Sequence, residues 1–549
     1  MWACGGDDDA PGANVAHIQN LTVSGDLIDG TRNIGDATTP IVAKVYASDA
    51  PLKPSVTDAA NLVWVSAGDD SDETVINQAI TYLGSTLGIT GVVELSLGTF
   101  TIDGAISFST YEHIILSGQG ATMGYDPTSA ALYEPTIIKQ KDGANLNAMI
   151  TNDQTQDAIY YGLGVNNIAI DGNKANQTGG DGHGIKLNAS QMVLDSVSVE
   201  YCRGSALYLD HDDSGSDNAA GNSIINCNFK YNAIGIEVNR HITDIRLTSV
   251  NIGGNTTAGE LFHSGSMLQH TNCTIWASNL GTNAIVIKGD VAGAGGIAYI
   301  YYTGCVIAGA NQHLVQMDCS NDNYSISDVT FSSCLFSRPG ITADNTYDFI
   351  NFVSGSTSYI YRPVFNACKF LRESGTDAPR YFFNWTARVV DPIVQACHMD
   401  SAIGATALDN GILPLRLNHG NNSGLFWPGQ TLKMVGWLTH ATKAVSFDAL
   451  PAGYSLEIKI VLVEAFDSDG TDNIYVGYSG VAGAYAGALN GSGALGVYTT
   501  LGGTLTRGAL CGYNDASHTV RAEYFDGGSD ATVGKALVEI TAAWVGVSP

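Results

Sequence analysis

Charge is scarce in this chain, and basic charge scarcer still. Only 14% of its residues are Asp, Glu, Lys or Arg, against roughly 25% in an average soluble domain. Lys and Arg number 25 against 53 Asp and Glu, a net charge of −28. A surface of that sign repels phosphate backbones and anionic membranes, so no nucleic-acid partner and no membrane insertion are expected. A neutral polymer remains open, as does an anionic one met at a local basic patch. Proline is sparse, 14 in 549 residues, which excludes collagen and a Pro/Gly-rich disordered chain. No run of 18 apolar residues occurs, so nothing in the sequence reads as a bilayer-spanning helix. The opening MWACGGDDDAPG has neither a basic nor an apolar segment, so no signal peptide is expected, and Cys4 has too few residues before it for a lipobox. There is no Cys-x-x-Cys, no Cys/His set at zinc spacing and no Gly-x-Ser-x-Gly elbow in a strand–turn–helix setting. No metal and no cofactor is expected.

What is present is turn and strand material. Glycine is abundant at 64 residues, and hydrophobic residues make up 44%. Many Val, Ile and Tyr punctuated by Gly and Asn read as all-β with tight turns. The length suggests about two to four domains. Of the 10 cysteines, six share one context: a small or polar residue, Cys, any residue, then an apolar one. They are Cys227, Cys273, Cys305, Cys334, Cys368 and Cys397, at steps of 46, 32, 29, 34 and 29. Val250 splits the first step into 23 and 23, and Val197 and Ile168 extend the series upstream by 30 and 29. Free Cys behaves as a small buried hydrophobe. One inward thiol per coil of a solenoid explains the spacing, with rungs of 23 to 34 residues.

A second strand recurs in each coil, as Gly184–Leu187, Ala206–Leu209, Gly235–Val238, Ala284–Ile287, Leu314–Met317 and Phe349–Phe352. Short strands turning at Asn and Gly, with β-branched residues and Cys inside, describe a parallel β-helix. The open end of such a solenoid needs a cover. Residues 72–88 supply one, with Asp72 as cap and Val75, Ile76, Ala79, Ile80 and Leu83 at helical spacing. The strand Val92–Ile102, containing Gly98-Thr99-Phe100, follows. This pairing closely resembles the opening of the pectate-lyase-like right-handed β-helix superfamily, and the resemblance extends over roughly residues 65–400. It speaks for fold rather than activity, because that superfamily hosts hydrolases, lyases and esterases.

The two ends differ from the middle. Asn20–Leu27, Arg32–Pro40 and Val45–Ser48 look like the short repeats of bacteriophage tail fibres and spikes, which wind three chains together. Residues 425–549, after the hinge Gly420–Gly424, carry strands at sandwich spacing. The runs Leu456–Phe466 and Ile474–Tyr478 there resemble the C-terminal β-domain of phage tail proteins. The expected plan is an N-terminal stalk over 1–64, a right-handed parallel β-helix over 65–424 and a C-terminal β-sandwich over 425–549 for trimerisation or sugar binding. The acidic loop 467–473 lacks a Glu at the twelfth position of a calcium loop, which is Ser479, so it reads as a hairpin tip. Together the three regions resemble a phage tailspike. That resemblance implies a homotrimer on the virion tail, joined to the baseplate through its N-terminus, that binds and cuts bacterial capsular, O-antigen or exopolysaccharide at the host surface.

The resemblance supplies no catalytic motif, so site residues come from the rungs. Aligned on inward residues, one outward column reads Lys186, Tyr208, Glu237, Val286, Gln316, Asn351. The next reads Asn188, Asp210, Asn239, Lys288, Asp318, Val353. The coil around Leu261-Phe262-His263 does not fit the repeat and is left out of both. Polar side chains peak at Tyr208, Asp210, His211, Asp212 and Asp213, then Glu237, Asn239, Arg240 and His241. Glycoside hydrolysis needs two carboxyls flanking the bond, one protonated and one ionised. Glu237 and Asp210 fall on adjacent rungs, about 7–8 Å apart on the diagonal. Glu237, between apolar neighbours that would raise its pKa, is assigned as acid, with Asp210, Asp212 or Asp213 as base. Tyr208 offers a stacking face, and Lys186 or Arg240 a cation for an acidic sugar; Asn239, His211 and His241 complete the binding set. A lyase of the same fold would use Tyr208, His211 or His241 as base, with Asn188, Asn239 or Arg240 neutralising a uronate carboxylate. A third reading is a non-catalytic receptor-binding spike. Gly182-His183-Gly184 is similar to a polygalacturonase motif but lacks the expected upstream Asp pair, and reads as a turn.

Overall fold

A computed structural model describes residues 41–544, apart from positions 52, 89 and 387 and the segments 69–70, 122–134, 153–158, 212–218, 277–282, 291–295, 322–323, 342–345, 372–378, 400–406, 410–417, 421–430, 451–453, 468–471, 479–480, 492–494, 500–517 and 526–530. The fibre-like segments before residue 41, and Asp212 and Asp213, lie outside the described residues.

The central region is a right-handed parallel β-helix of three long sheets. The first sheet has 16 strands, and the second and third have 11 each. A single coil illustrates the path: Val193–Asp195 lies in the first sheet, Ser198–Glu200 in the second and Ser205–Leu209 in the third. The chain then climbs one rung to Asn222–Ile225, which pairs in parallel with Val193–Asp195. Returning to the same sheet in parallel requires a crossover, and parallel crossovers are right-handed. The first sheet starts earlier than the sequence suggests. Ile41–Tyr46 pairs with Gly91–Leu95 and with Val63–Val65, so the first sheet extends into the segment read as stalk.

The Cys periodicity is the corner between the first and second sheets. In each coil the residue before the inward one is left-handed: Asn167, Ser196, Asn226, Ser249, Asn272, Gly304, Ser333, Ala367 and Ala396, with φ between 52° and 64°. That conformation costs a residue bearing Cβ roughly 1–2 kcal/mol, which selects Asn, Gly and small residues. The next side chain then turns into the core. Cys227, Cys273, Cys305, Cys334, Cys368 and Cys397 are all buried and free. At the opposite corner, fully buried asparagines satisfy the backbone. Asn232 Oδ1 accepts from Cys202 N–H at 2.8 Å, and Asn255 Oδ1 accepts from Asn232 N–H at 2.9 Å. Aromatic side chains stack rung on rung inside the later coils, as in Tyr302, Phe331 and Phe365 with centroids 4.7 and 5.3 Å apart.

The cap is α1, Glu73–Thr81, continued by a π turn over Tyr82–Leu87 and stopped at Gly88 with φ 60°. Its buried face is Ile76, Ala79, Ile80 and Leu83. Asp72 does not cap it by a side-chain hydrogen bond. Instead its carboxylate accepts from Thr101 N–H at 2.6 Å and from Ser66 Oγ, tying the cap to the first rung. Gly98 has φ 115°, and a Cβ there would lie 2.3 Å from an Asp49 carboxylate oxygen. That carboxylate receives Thr99 N–H, which is why the Gly-Thr-aromatic strand needs its glycine.

The C-terminal region is two four-stranded antiparallel sheets around their own core, including Ile458, Ile460, Val476, Ala522 and Val538. The acidic loop is not a hairpin tip. Tyr454–Glu464 belongs to one sheet and Asn473–Tyr478 to the other, so the two strands do not form a hairpin. Asp467 and Asp472 anchor the ends of the loop. Asp467 accepts from Thr532 N–H at 2.7 Å and Val533 N–H at 3.0 Å, and buried Asp472 accepts from the Tyr524 hydroxyl.

Candidate functional site

The third sheet stacks its outward residues in the expected columns and adds a rung. Lys186, Tyr208, Glu237, Leu261, Val286, Gln316, Asn351 and Asn384 are consecutive register partners. The coil that looked irregular is regular: Ala258–Phe262 pairs with the strands on both sides. Asn239 N–H donates to Leu209 O, and His263 N–H to Val238 O, so His263 joins the column of Asp210 and Asn239.

Glu237 is the centre of this face. Its carboxylate accepts from the Ser205 hydroxyl, and its Oε1 lies 3.6 Å from His263 Nε2. His263 Nδ1 lies 2.6 Å from Asp290 Oδ1, so Glu237, His263 and Asp290 form a line of charge-paired groups. The surroundings of Glu237 are polar, not apolar as the sequence suggests. Burial pushes its pKa up, but the His263 and Ser205 contacts outweigh it and hold the carboxyl below the ordinary Glu value. Burial pulls His263 down, but Glu237 and Asp290 outweigh it, so its pKa is raised. At neutral pH the pair is an ionised carboxylate beside an imidazole inclined to carry charge.

Tyr208 lies one rung below. Its ring packs on His183 with centroids 4.4 Å apart, and the Lys186 ammonium sits 5.2 Å from its centroid. Its hydroxyl accepts from Asn239 Nδ2 at 2.9 Å. Burial, then the charges of Asp210 and Glu237, push the phenol well above its usual pKa. Asp210 is nearly buried and held from two sides. Arg240 donates to it through Nε at 2.9 Å and Nη2 at 2.8 Å, and Asn239 Nδ2 donates at 3.1 Å. A bidentate arginine clamp of this kind fixes a carboxylate as an acceptor. His211 and His241 face each other edge-on at 6.4 Å, His211 fully buried and His241 left-handed with φ 48°. No hydrogen bond or ion pair among the described residues joins either to Glu237.

The structure thus brings Lys186, Tyr208, Asp210, Glu237, Asn239 and Arg240 onto one face. It adds three side chains that sequence reading left aside: His183, Ser205 and His263, with Asp290 behind the last. The sequence reads Gly182-His183-Gly184 as a turn, but His183 begins the strand His183–Leu187. Its Nδ1 accepts from Ser205 N–H at 3.1 Å and burial lowers its pKa. Among the described residues no group of three His, Cys, Asp or Glu side chains is arranged to hold a metal ion, and no helix is long and apolar enough to cross a membrane.

No family model matches the chain, and no curated protein matches it. Solved structures do align. A tailspike protein of the Acinetobacter baumannii bacteriophage Fri1, described as a capsular polysaccharide depolymerase, aligns over 93% of this chain and 87% of its own, at 12% identity and a TM-score of 0.44. The A-module of a mannuronan C-5 epimerase from Azotobacter vinelandii covers 70% of this chain and 98% of its own, at 12% identity and a TM-score of 0.45. The enzymatically active domain of tailspike protein 2 from bacteriophage CBA120 covers 86% and 77%, at 12% identity and a TM-score of 0.43. At these values none of them assigns an activity to this chain.

Proposed function

We propose that this protein is a phage tailspike depolymerase that lays a bacterial surface polysaccharide along the third sheet and hydrolyses its glycosidic bonds at Glu237. The observation that carries the reading is Glu237 itself, a carboxylate contacted by Ser205 and His263 and held below the ordinary Glu pKa, on the outward face of the third sheet. That state reverses the role given to it by sequence. Glu237 acts as the base that takes the proton of the attacking water, or faces the developing positive charge at the anomeric carbon. His263, backed by Asp290, fixes the carboxylate and holds it ionised, and the proton taken from the water stays on Glu237.

The proton for the departing sugar oxygen has to come from a second group. Asp210 is a poor donor, because its two oxygens already accept three hydrogen bonds from Arg240 and Asn239. Asp212 and Asp213, next along the chain, are the candidates. A lyase reading is less supported. Of its three candidate bases, Tyr208 is pushed away from ionisation, and His211 and His241 make no hydrogen bond or ion pair with Glu237 among the described residues. Arg240, its carboxylate-neutralising partner in that scheme, is occupied by Asp210.

The test is digestion of a panel of capsular and O-antigen polysaccharides, with products sized and reducing ends counted. Glu237→Gln should keep binding and lose on the order of 10²–10⁴ in turnover. New ultraviolet absorbance at the unsaturated-uronate band would assign a lyase instead. Binding with no new reducing ends would make the protein a non-catalytic receptor-binding spike.

A further inference from the structure

Beyond Glu237 the same column crosses two apolar rungs, Leu261 and Val286, and then turns polar again at Gln316, Asn351 and Asn384. At about 4.8 Å per rung this second polar stretch begins roughly 14 Å from Glu237, three rungs on. Asn351 is buried, and the stretch is internally organised: Asn384 Nδ2 donates to Asn351 Oδ1 at 2.8 Å, and Gln316 Nε2 to Asp318 Oδ2 at 3.0 Å, while Asn384 also bonds the buried Asp348.

Arg380 sits at the edge of this stretch. Its Nε and Nη2 are held at 3.1 and 2.8 Å by Asp348, a carboxylate with no solvent exposure. Its guanidinium lies 4.9 Å from the centroid of the Tyr381 ring. Nη1 makes no hydrogen bond among the described residues, and the side chain is 40% exposed. A guanidinium locked by a buried carboxylate is a preorganised donor that has already surrendered its rotamer freedom.

The geometry points to a second carbohydrate subsite at Arg380, Asn351 and Asn384, which grips the polymer three or more sugar units from the bond cut at Glu237. This rests on the reading of Glu237 as the cleavage point. Planar amides and one arginine edge are suited to vicinal hydroxyls. The charge decides the class of sugar. Arg380 is paired with Asp348, and Lys288 stands between its register partner Asp318 and Asp290, the latter 3.6 Å away, so a uronate meets no uncompensated cation here. The subsite takes an uncharged sugar.

The experiment uses the full chain carrying Glu237→Gln, with neutral and acidic surface polysaccharides from the same panel and size-fractionated oligosaccharides of whichever polymer binds. The expected result is a gain in affinity of about tenfold, the equivalent of about one strong hydrogen-bonded contact, once a neutral fragment is long enough to reach past Val286. Adding Asn384→Ala or Arg380→Lys should abolish that gain. Arg380→Lys keeps a cation beside Asp348, and unchanged thermal unfolding will show that the fold is intact. The subsite is overturned if both variants keep the full length-dependent gain, or if only acidic polymers bind. The cleavage reading fails separately, if Glu237→Gln alone cuts at the wild-type rate. If no polysaccharide binds the wild type, both fall.

Discussion

His263 shows how a single side chain sets the chemistry of its neighbour. It bridges Glu237 and Asp290, and removing it takes away one of the two contacts that hold Glu237 ionised. His263→Ala should therefore raise the Glu237 pKa, and the acid limb of the pH–rate profile should move to higher pH. A merely structural His263 would lower the rate equally at every pH. His313 gives a stability prediction with a definite sign. Burial, then the charge of Arg380, lowers its pKa to about 4, and its Nδ1 accepts from Asp348 N–H at 3.1 Å, so only the neutral ring fits. The unfolded chain takes up that proton near pH 6.5. Between those values the unfolded state binds more protons, so stability falls as pH drops from about 6.5 to about 4, and is level above that window. Asp348, raised by burial, works in the opposite sense, so the measurement is the difference in melting temperature between wild type and His313→Gln across the window. A difference that does not change with pH would refute the assignment.

At the scale of the element, the repeating unit is a corner rather than a strand. The left-handed residue followed by an inward apolar one explains why Asn, Ser, Gly or Ala precedes each of the six Cys at this corner. Asn226→Val puts a β-branched side chain at φ 54° and should cost roughly 1–2 kcal/mol in chemical denaturation, whereas the same change at an exposed, extended site should cost little. The thiols lie at 0–1% exposure in one stack. They should label slowly in the folded protein and rapidly in denaturant. A disulfide map linking two of them, or fast native labelling, would break the phasing of the coils. The sequence showed these corners because their backbone demands a particular residue at fixed intervals. It showed the corner of the coil at Val250 but not that coil's third-sheet strand through Leu261, with His263 just beyond it, where Leu261 breaks the run of polar outward residues.

For the whole molecule, one C-terminal face exposes apolar side chains among the described residues. Across all four strands of one C-terminal sheet, Trp437 faces Leu537, Leu537 faces Val461, and Val461 faces Val497. Trp437 is 45% and Val497 56% exposed, and Val435 and Val463 flank them, exposed as well. An apolar row of this extent marks an interface. We propose that three copies of this face meet in a homotrimer. Light scattering should give a mass three times 57.5 kDa, and Trp437→Asp should shift it towards the single-chain value. A single-chain mass for the wild type would overturn the prediction.

The sequence by itself determined the solenoid. Its period is written in residues that the backbone requires: the left-handed corner, the inward Cys or Val, and the glycine of Gly98-Thr99-Phe100. It also determined the outward columns, because a period of two along each strand fixes which residues face out once the inward ones are known. Lys186, Tyr208 and Glu237 stack as those columns require. Only the tertiary structure decided what these residues are. The state of Glu237 depends on Ser205 from the rung below, and on His263 from a coil whose register the sequence did not show. Asp210 became a clamped acceptor rather than a free carboxylate because Arg240 folds back on it from the next rung. Charge state and hydrogen-bond occupancy are set by neighbours 26 to 32 residues away along the chain and one rung away in space. Local sequence fixes the direction in which a side chain points, and the packing of one coil on the next fixes what it meets there.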